Sequence, residues 1–366
     1  MLLAAATTGG ASASDAQACA MTAGFANAGL LAAMRRGVNL PGWDNADESR
    51  RPTVTQLAAL RGEGLSHIRL PLDESRLSGG DADAYLDLMF EEVILLLSLD
   101  YVVSLDLHAG STIGRMLEVD PQSGQEHLAA LWRAIAKRVR SIDPNKLAVE
   151  LLNEPETGSA VWWEAAGRTI AEIRRTLPNH TIIVGPAGPQ RHEILAGLEP
   201  LDDANVIYAI HYYDPFAFTH QGADWGGAGD PIRYLKGLPF PATLQDPAMQ
   251  DRISALNEAG HHRAAQALSN ALGAPWDEAG MAAAFDTMRD WSVKHSRPVI
   301  VNEFGVLLYF APRQSRLDWL AAVRRQAEQR CIGWSHWDFQ DGFGLIDPAT
   351  GMPDAGIMQA LTPGAD

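Results

Sequence analysis

Along most of the chain, short apolar runs alternate with segments in which apolar residues recur every three to four positions. The first pattern predicts buried β-strands, and the second predicts amphipathic helices that cover them. Strands are predicted at residues 37–40, 67–70, 102–107, 147–152, 181–184, 206–210, 299–301 and 332–337. Helices are predicted at residues 53–64, 83–99, 125–141, 160–176, 280–294 and 316–329.

This alternation favours an α/β fold, because two parallel strands need a crossover between them that is usually a helix. Eight such units close most naturally into a barrel. The length of 366 residues fits a single barrel with insertions, and no linker or internal repeat separates two halves. The sequence therefore predicts one (β/α)8 domain, a TIM barrel, at residues 35–362, after a leader at residues 1–34.

The connection after the sixth predicted strand is much longer than the others. From Tyr212 to about Trp276 the chain is rich in glycine and proline, and it then contains an alanine-rich helical stretch near residues 252–272. Loops of this length in compact domains are usually functional or disordered. Three aromatic residues, Phe216, Phe218 and Trp225, favour an ordered wall of the active-site cleft.

The first twenty residues are small and apolar, with an Ala-Ser-Ala sequence, but they lack the basic flank of a signal peptide. We interpret them as a truncated signal, which predicts a secreted or periplasmic protein; a disordered leader on a cytoplasmic protein is the alternative. The two cysteines, Cys19 and Cys331, lack the spacing of a metal site. The sequence leaves open whether they form a disulfide or remain free thiols.

Composition narrows the classes of partner. A hydrophobic content of 46% is ordinary for a globular protein, and the formal net charge of −16 repels phosphate backbones. These values argue against nucleic acid as a partner but leave neutral sugars open. No apolar run is long enough to span a membrane. We expect a monomer with no cofactor and no metal.

Polar or aromatic side chains end six of the eight predicted strands. In barrel enzymes the carboxyl ends of the strands meet at the mouth that holds the active site. We therefore expect these residues to share one site: Arg69, His108, Asn153, Glu154, His211, Tyr213, Glu303 and Trp337.

Two glutamates at one barrel mouth suit glycoside hydrolysis, in which one carboxylic acid protonates the leaving oxygen and one carboxylate attacks the anomeric carbon. Arg69 and Tyr213 are expected to keep Glu303 ionised. Glu154, with fewer cations nearby, is expected to have a raised pKa and to hold a proton. Asn153 can donate a hydrogen bond to the sugar 2-hydroxyl.

Aromatic rings are the second group of candidates for substrate contact. Trp337 offers a flat apolar face on which a pyranose ring can stack. Trp43, His220 and Trp225 lie on the loops after the first and sixth predicted strands, where substrate contact is also expected.

Several motifs together resemble glycoside hydrolase family 5, the cellulase family of clan A. They are NEP at 153–155, HYYDPFAFTHQG at 211–222, NEFG at 302–305, RRGVNLPGW at 35–43 and GWSHWDFQDGFGLID at 333–347. The resemblance spans residues 35–348. It implies that Glu154 is the acid/base and Glu303 the nucleophile, that the other strand-end residues form the active-site shell, and that a strained or cis peptide follows Trp337.

The sequence therefore predicts a retaining endo-β-1,4-glucanase acting on β-linked glucan, with the two carboxyl groups about 5–5.5 Å apart. A mannanase, a β-1,3-glucanase or an exo-β-glucosidase would use the same pair, because specificity lies in the shape of the loops. A metal-dependent barrel hydrolase or isomerase using Asp106, His108 and His211 is a less favoured class, since its usual ligand motifs are not apparent. A non-catalytic sugar-binding barrel would require loss of a carboxylate that is present here.

Overall fold

The computed structural model describes Cys19 and residues 24–364. Eight parallel strands form a closed barrel in chain order, in which β8 pairs with β1. The strands are Arg36–Asn39 (β1), His67–Asp73 (β2), Val102–His108 (β3), Leu147–Glu150 (β4), Thr181–Val184 (β5), Val206–His211 (β6), Val299–Phe304 (β7) and Gly333–His336 (β8). The predicted fold class and the position of each predicted strand are confirmed.

Helices cover the outside of the barrel, because the strands of a parallel sheet are buried on both faces. The longer ones are Val54–Gly62, Ala82–Ser98, Pro121–Val139, Ser159–Arg174, Glu278–His295 and Arg313–Gln329. Shorter helices lie at Ala28–Ala33, Glu74–Leu77, Thr112–Val119, His192–Ala196, Phe216–Thr219 and Ala355–Leu361. Within residues 24–364, none of the helices has the length and apolar character required to cross a membrane.

The predicted helices are all present, with ends that differ by a few residues. The largest difference is in the helix predicted to start at residue 125, which starts at Pro121. The Asp120 side chain accepts a hydrogen bond from the backbone N–H of Ser123, and proline suits the first helical position. Capping therefore extends this helix beyond its apolar periodicity.

The amino-terminal end of the barrel is closed by the helix Ala28–Ala33. Leu30, Leu31 and Met34 are buried there against apolar residues of β3 to β7. These three residues fall in the segment predicted as a leader, so the packed body begins before residue 35. A disulfide joins Cys19 to Cys331, which precedes β8. The remaining leader residues, 1–18 and 20–23, lie outside the described part of the chain.

The long connection after β6 is ordered, as predicted. It contains the helices Pro247–Glu258 and His262–Ala271, whereas one helical stretch was expected. They are separated at Gly260, whose φ of 79° is a left-handed conformation that glycine adopts without strain. Phe218 and Trp276 are buried, so the insertion has apolar anchors in the protein interior.

Candidate active site

The carboxyl ends of the strands surround a cavity of about 450 Å³ at the barrel mouth. The predicted site residues that line it are His108, Asn153, Glu154, Tyr213, His220, Trp225, Glu303 and Trp337. Arg69 and His211 are buried and contact Glu303 and Glu154. The structure therefore brings these residues into one site, with Trp43 as the exception.

Trp43 does not reach the cavity. Its side chain is 2% exposed, its Nε1 donates a hydrogen bond to the Pro71 carbonyl at 2.7 Å, and its ring stacks on Tyr85. The prediction that Trp43 contacts substrate is wrong, because this indole fills the core behind the loop that follows β1.

Phe216, Phe218 and Trp225, the three aromatic residues expected to form a wall of the cleft, differ in whether they reach the cavity. Trp225 lines the cavity and is 64% exposed, whereas Phe218 is buried. Phe216 stacks on His220 with the ring centroids 3.9 Å apart, so it contacts a residue that lines the cavity. Only Trp225 of these three presents its side chain to the cleft.

Glu154 and Glu303 face each other across the cavity. One carboxyl oxygen of each, together with a ring nitrogen of His211, lies within 4.8 Å of the others. Inverting glycosidases separate their carboxyl groups by about 6.5–9.5 Å to admit a water, whereas retaining enzymes keep them about 5–5.5 Å apart. The close approach of these oxygens fits the retaining arrangement.

Arg69 organises the floor of the site from the interior of the barrel, where it is fully buried. Its Nη1 donates to Glu303 Oε1 at 2.6 Å, and its Nε donates to Glu150 Oε2 at 2.7 Å. Its Nη2 lies 3.0 Å from Asp106 Oδ2 and donates to Asn153 Oδ1 at 3.0 Å. One guanidinium thus faces three carboxylates and fixes the orientation of Glu303.

Three buried polar residues, Glu150, Asp106 and His67, lie beneath the site in the barrel interior. The first two are present as Arg69 partners, and Asp106 also accepts a hydrogen bond from His108 Nδ1 at 2.9 Å. His67 instead lies between Ser335 and Ser104, at 2.9 Å from each hydroxyl. It belongs to a separate hydrogen-bond group of the barrel interior.

Tyr213 and His211 complete the contacts of the two glutamates. Tyr213 Oη donates to Glu303 Oε2 at 3.1 Å, and burial together with the charge of Glu303 raises the pKa of this phenol, which keeps it protonated. His211 Nδ1 lies 2.8 Å from Glu154 Oε1 and 3.4 Å from Glu303 Oε2. His211 therefore stands between the two carboxyl groups.

The electrostatics of Glu154 differ from the prediction. Burial by itself raises the pKa of this carboxyl, but the hydrogen bond and the charge of His211 outweigh burial, and the net direction is downward. For His211, burial lowers the pKa, yet the charges of Glu303 and Glu154 outweigh it and the net direction is upward. The expectation of a raised Glu154 pKa was wrong because the sequence did not show a histidine within hydrogen-bond distance.

Replacing His211 with alanine is expected to raise the pKa of Glu154, because burial then acts without its main opposing contact. The Glu154 carboxyl of the variant is then expected to keep its proton to higher pH than the wild-type carboxyl. A carbon-13 NMR titration of Glu154 in the wild type and in His211→Ala checks this. An unchanged or lower titration midpoint in the variant would contradict it.

Sequence reasoning missed other residues of the cavity wall, among them Tyr309, Asp338 and Phe343. Tyr309 is 62% exposed in the loop after β7. Asp338 follows β8, and burial raises the pKa of its carboxyl to about 7. These residues come a few positions after strand ends, so extending the search from the strand ends into the following loops would have included them.

Glu154, His211 and Glu303 also have the mutual distances of a metal-ligand set. Arg69 donates to Glu303 at 2.6 Å, and a cation bound to the same carboxylate would be repelled by this guanidinium. Asp106 is likewise paired with Arg69 at 3.0 Å. The charges around these groups favour an acid/base pair over a metal centre.

A family model described as cellulase, glycosyl hydrolase family 5, matches residues 31–340. Endoglucanase 3 of Fibrobacter succinogenes is 29% identical over 359 residues, covering 91% of this chain and 53% of the relative. Cellodextrinase A of Ruminococcus flavefaciens is 28% identical over 207 residues, covering 52% of this chain and 61% of the relative. The chain therefore corresponds to little more than half the length of these curated relatives.

Solved structures are similar over nearly the whole chain. Endoglucanase Cel5A of Thermotoga maritima matches with a TM-score of 0.72 and 25% identity, covering 92% of this chain and 99% of that one. The cellulose synthase subunit Z of Clostridioides difficile matches with a TM-score of 0.71 and 26% identity, covering 90% and 99%. Both similarities extend over nine-tenths or more of this chain.

Proposed function

The chain belongs to glycosyl hydrolase family 5, the cellulase family, and on this premise we propose that it is a retaining endo-β-1,4-glucanase. The observation that carries the proposal is the approach of a Glu154 oxygen and a Glu303 oxygen to within 4.8 Å across an open cavity. Two carboxyl groups at this distance can act on one anomeric carbon from opposite sides.

In the proposed first step, the Glu303 carboxylate forms a bond to the anomeric carbon while the bond to the leaving oxygen breaks. The leaving oxygen takes the electron pair of that bond and a proton from Glu154. In the second step, a water molecule gives a proton to Glu154. The oxygen of this water bonds to the anomeric carbon as the bond from that carbon to Glu303 breaks. Two inversions give net retention.

The proton for the first step can come from the Glu154–His211 pair. Because the pKa of His211 lies above its usual value and that of Glu154 below, the pair holds the proton on the imidazole at rest. The 2.8 Å hydrogen bond gives it a direct path to Glu154 when the leaving oxygen gains charge. Arg69 and Tyr213 hold Glu303 through its two oxygens, which leaves it oriented for attack.

Endo action is supported by the shape of the mouth. A second cavity of about 520 Å³ adjoins the first and shares Pro41, His108 and Trp337 with it. Because they share these residues, the two cavities adjoin at Trp337 and form one open groove that extends from the carboxyl pair past this ring. An open groove of this kind admits the interior of a polymer, whereas a closed pocket admits only its end.

The experiment follows the viscosity of a soluble β-1,4-glucan together with the reducing ends released. We expect viscosity to fall steeply while few reducing ends appear, and proton NMR to show the β-anomer first. Release of reducing ends without a fall in viscosity would identify an exo enzyme. Initial formation of the α-anomer would overturn the retaining assignment.

Mannan is the second substrate to be compared in the same assay. One solved structure similar to this chain, at 26% identity and a TM-score of 0.70, is Thermotoga maritima Cel5A in complex with mannotriose. A kcat/KM on β-mannan above that on β-1,4-glucan would assign the mannanase alternative.

The monomeric state remains a prediction.

The proposed enzyme is secreted or periplasmic. The disulfide between Cys19 and Cys331 supports this location, because such bonds persist in oxidising compartments and are rare in the cytosol. Fractionation of the source cells is the test, and recovery of the active protein from the cytosol alone would refute export.

A further inference from the structure

Gln190 is a fully buried residue of the connection after β5, and it contacts both members of the Glu154–His211 pair. Its side-chain Oε1 accepts a hydrogen bond from the Glu154 backbone N–H at 3.2 Å. Its backbone carbonyl accepts one from the His211 N–H at 3.0 Å. One residue therefore links the chain segments that carry the acid group and its histidine partner.

The backbone of Glu154 needs such support. Glu154 has a φ of 41° and Gln190 a φ of 47°, both in the left-handed region that is strained for residues other than glycine. Strained conformations of this kind persist only where neighbouring contacts hold them. The hydrogen bond from Glu154 N–H to Gln190 Oε1 is such a contact, and it fixes the direction in which the Glu154 side chain leaves the backbone.

His211 is a second place where regular pairing is interrupted. The register between β6 and β7 shifts between Ile210, which pairs with Val301, and His211, which pairs with Glu303. At this point the backbone carbonyl of Gln190 accepts a hydrogen bond from the His211 N–H. Gln190 therefore contributes hydrogen bonds that position the backbones of Glu154 and His211 relative to each other.

The surroundings of Gln190 are fitted to its amide. A Cβ added to Gly185 would overlap the Gln190 amide, so a side chain larger than hydrogen at residue 185 would displace it. The buried Nε2 has no hydrogen-bond partner among the described residues. A buried donor without a partner makes glutamine less favourable here than an apolar side chain of the same size. The contribution of this amide therefore comes from its oxygen, which accepts the hydrogen bond from the Glu154 N–H.

We propose that Gln190 is a positioning residue that holds Glu154 and His211 in the mutual geometry required for proton delivery to the leaving oxygen. The inference rests on the proposed glycosidase function. As Glu303 bonds to the anomeric carbon, the leaving oxygen takes the electron pair of the breaking bond and the proton of Glu154. A misaligned Glu154 slows this step most for a basic leaving oxygen, which cannot depart without the proton, and least for a weakly basic one.

The test compares two aryl β-cellobiosides that differ in the leaving group. A dinitrophenolate leaves without a proton, whereas a phenolate needs one. Gln190→Leu is expected to lower kcat/KM for the phenyl substrate by about tenfold or more, and for the dinitrophenyl substrate by less than about twofold. Gly185→Ala, which displaces the same amide, is expected to reproduce this split and carries the test if Gln190→Leu does not fold.

Gln221→Leu is the matched control. Gln221 is also fully buried, but its side chain bonds to the backbones of Phe218 and Leu238 in the insertion. Its replacement is expected to lower stability without a difference between the two leaving groups. In a Glu154→Ala background, Gln190→Leu is expected to add no further loss on the phenyl substrate.

Equal losses on both substrates, or an additive loss in the Glu154→Ala background, would show that Gln190 has only a structural role and would overturn the proposal. A wild-type protein that cleaves neither aryl glycoside nor any β-glucan would instead refute the proposed function and with it the role of Gln190. The two failures are therefore distinguishable.

Discussion

Replacing Glu303 with glutamine is expected to lower kcat by at least about 10⁴-fold, because an amide cannot form the covalent bond to the anomeric carbon. The barrel is expected to stay folded. Glutamine has nearly the same shape, and its carbonyl oxygen can still accept the hydrogen bond that Arg69 Nη1 gives to Glu303 at 2.6 Å. The loss should therefore appear in turnover rather than in structure.

The measurement is kcat on a soluble β-glucan for folded protein, with circular dichroism as the check on the fold. Glu156→Gln is a suitable control, since Glu156 is exposed and stands two positions after Glu154. This variant should keep wild-type turnover. Residual kcat of the Glu303→Gln protein above about one per cent of wild type would reject Glu303 as nucleophile.

Replacing Arg69 with methionine is expected to reduce the free energy of unfolding by at least about 3–5 kcal/mol near neutral pH. The guanidinium is fully buried and faces Asp106, Glu150 and Glu303. Without it, three buried carboxylates lose their cation and repel one another. Turnover should be lost as well, because Glu303 then lacks the guanidinium that orients it.

The penalty of Arg69→Met should shrink as the pH falls. In the variant, burial without a cation raises the pKa of the orphaned carboxyls, so the folded state takes up protons at higher pH than the unfolded chain. Stability relative to wild type then increases as the pH falls through these raised values. Denaturant titrations at several pH values measure it, and a pH-independent penalty would contradict the assignment.

Arg168→Met serves as the control for this experiment. Arg168 forms an exposed pair with Glu164 one helical turn earlier, at side-chain exposures of 63% and 67%. Exposed pairs of this type contribute about 0.3–0.5 kcal/mol. A comparable loss of stability from Arg168→Met and Arg69→Met would indicate that burial of the Arg69 network has little energetic effect.

The fold was predictable because its signals are local and repeated. Apolar runs separated by helical periodicity located each strand, and the barrel followed from their number. The strand-end rule likewise placed Arg69, Glu154 and Glu303 in one site, since the closure of the barrel brings those ends together.

The failed predictions depend on contacts that no local pattern specifies. Trp43 lies in the core because its indole N–H donates to the carbonyl of Pro71 in β2 and its ring stacks on Tyr85 in the helix Ala82–Ser98. The direction of the Glu154 pKa depends on His211, 57 positions away in the sequence. Gln190 carries no motif, and its contact with Glu154 exists only after the loops following β4 and β5 have packed together.

The closure of the barrel floor determines how the protein can be handled. The helix Ala28–Ala33 and the bond between Cys19 and Cys331 lie at the opposite end of the strands from Glu154 and Glu303. A support, a label or a fused module coupled through this segment would sit away from the groove. Immobilisation at that end therefore leaves the groove facing outward.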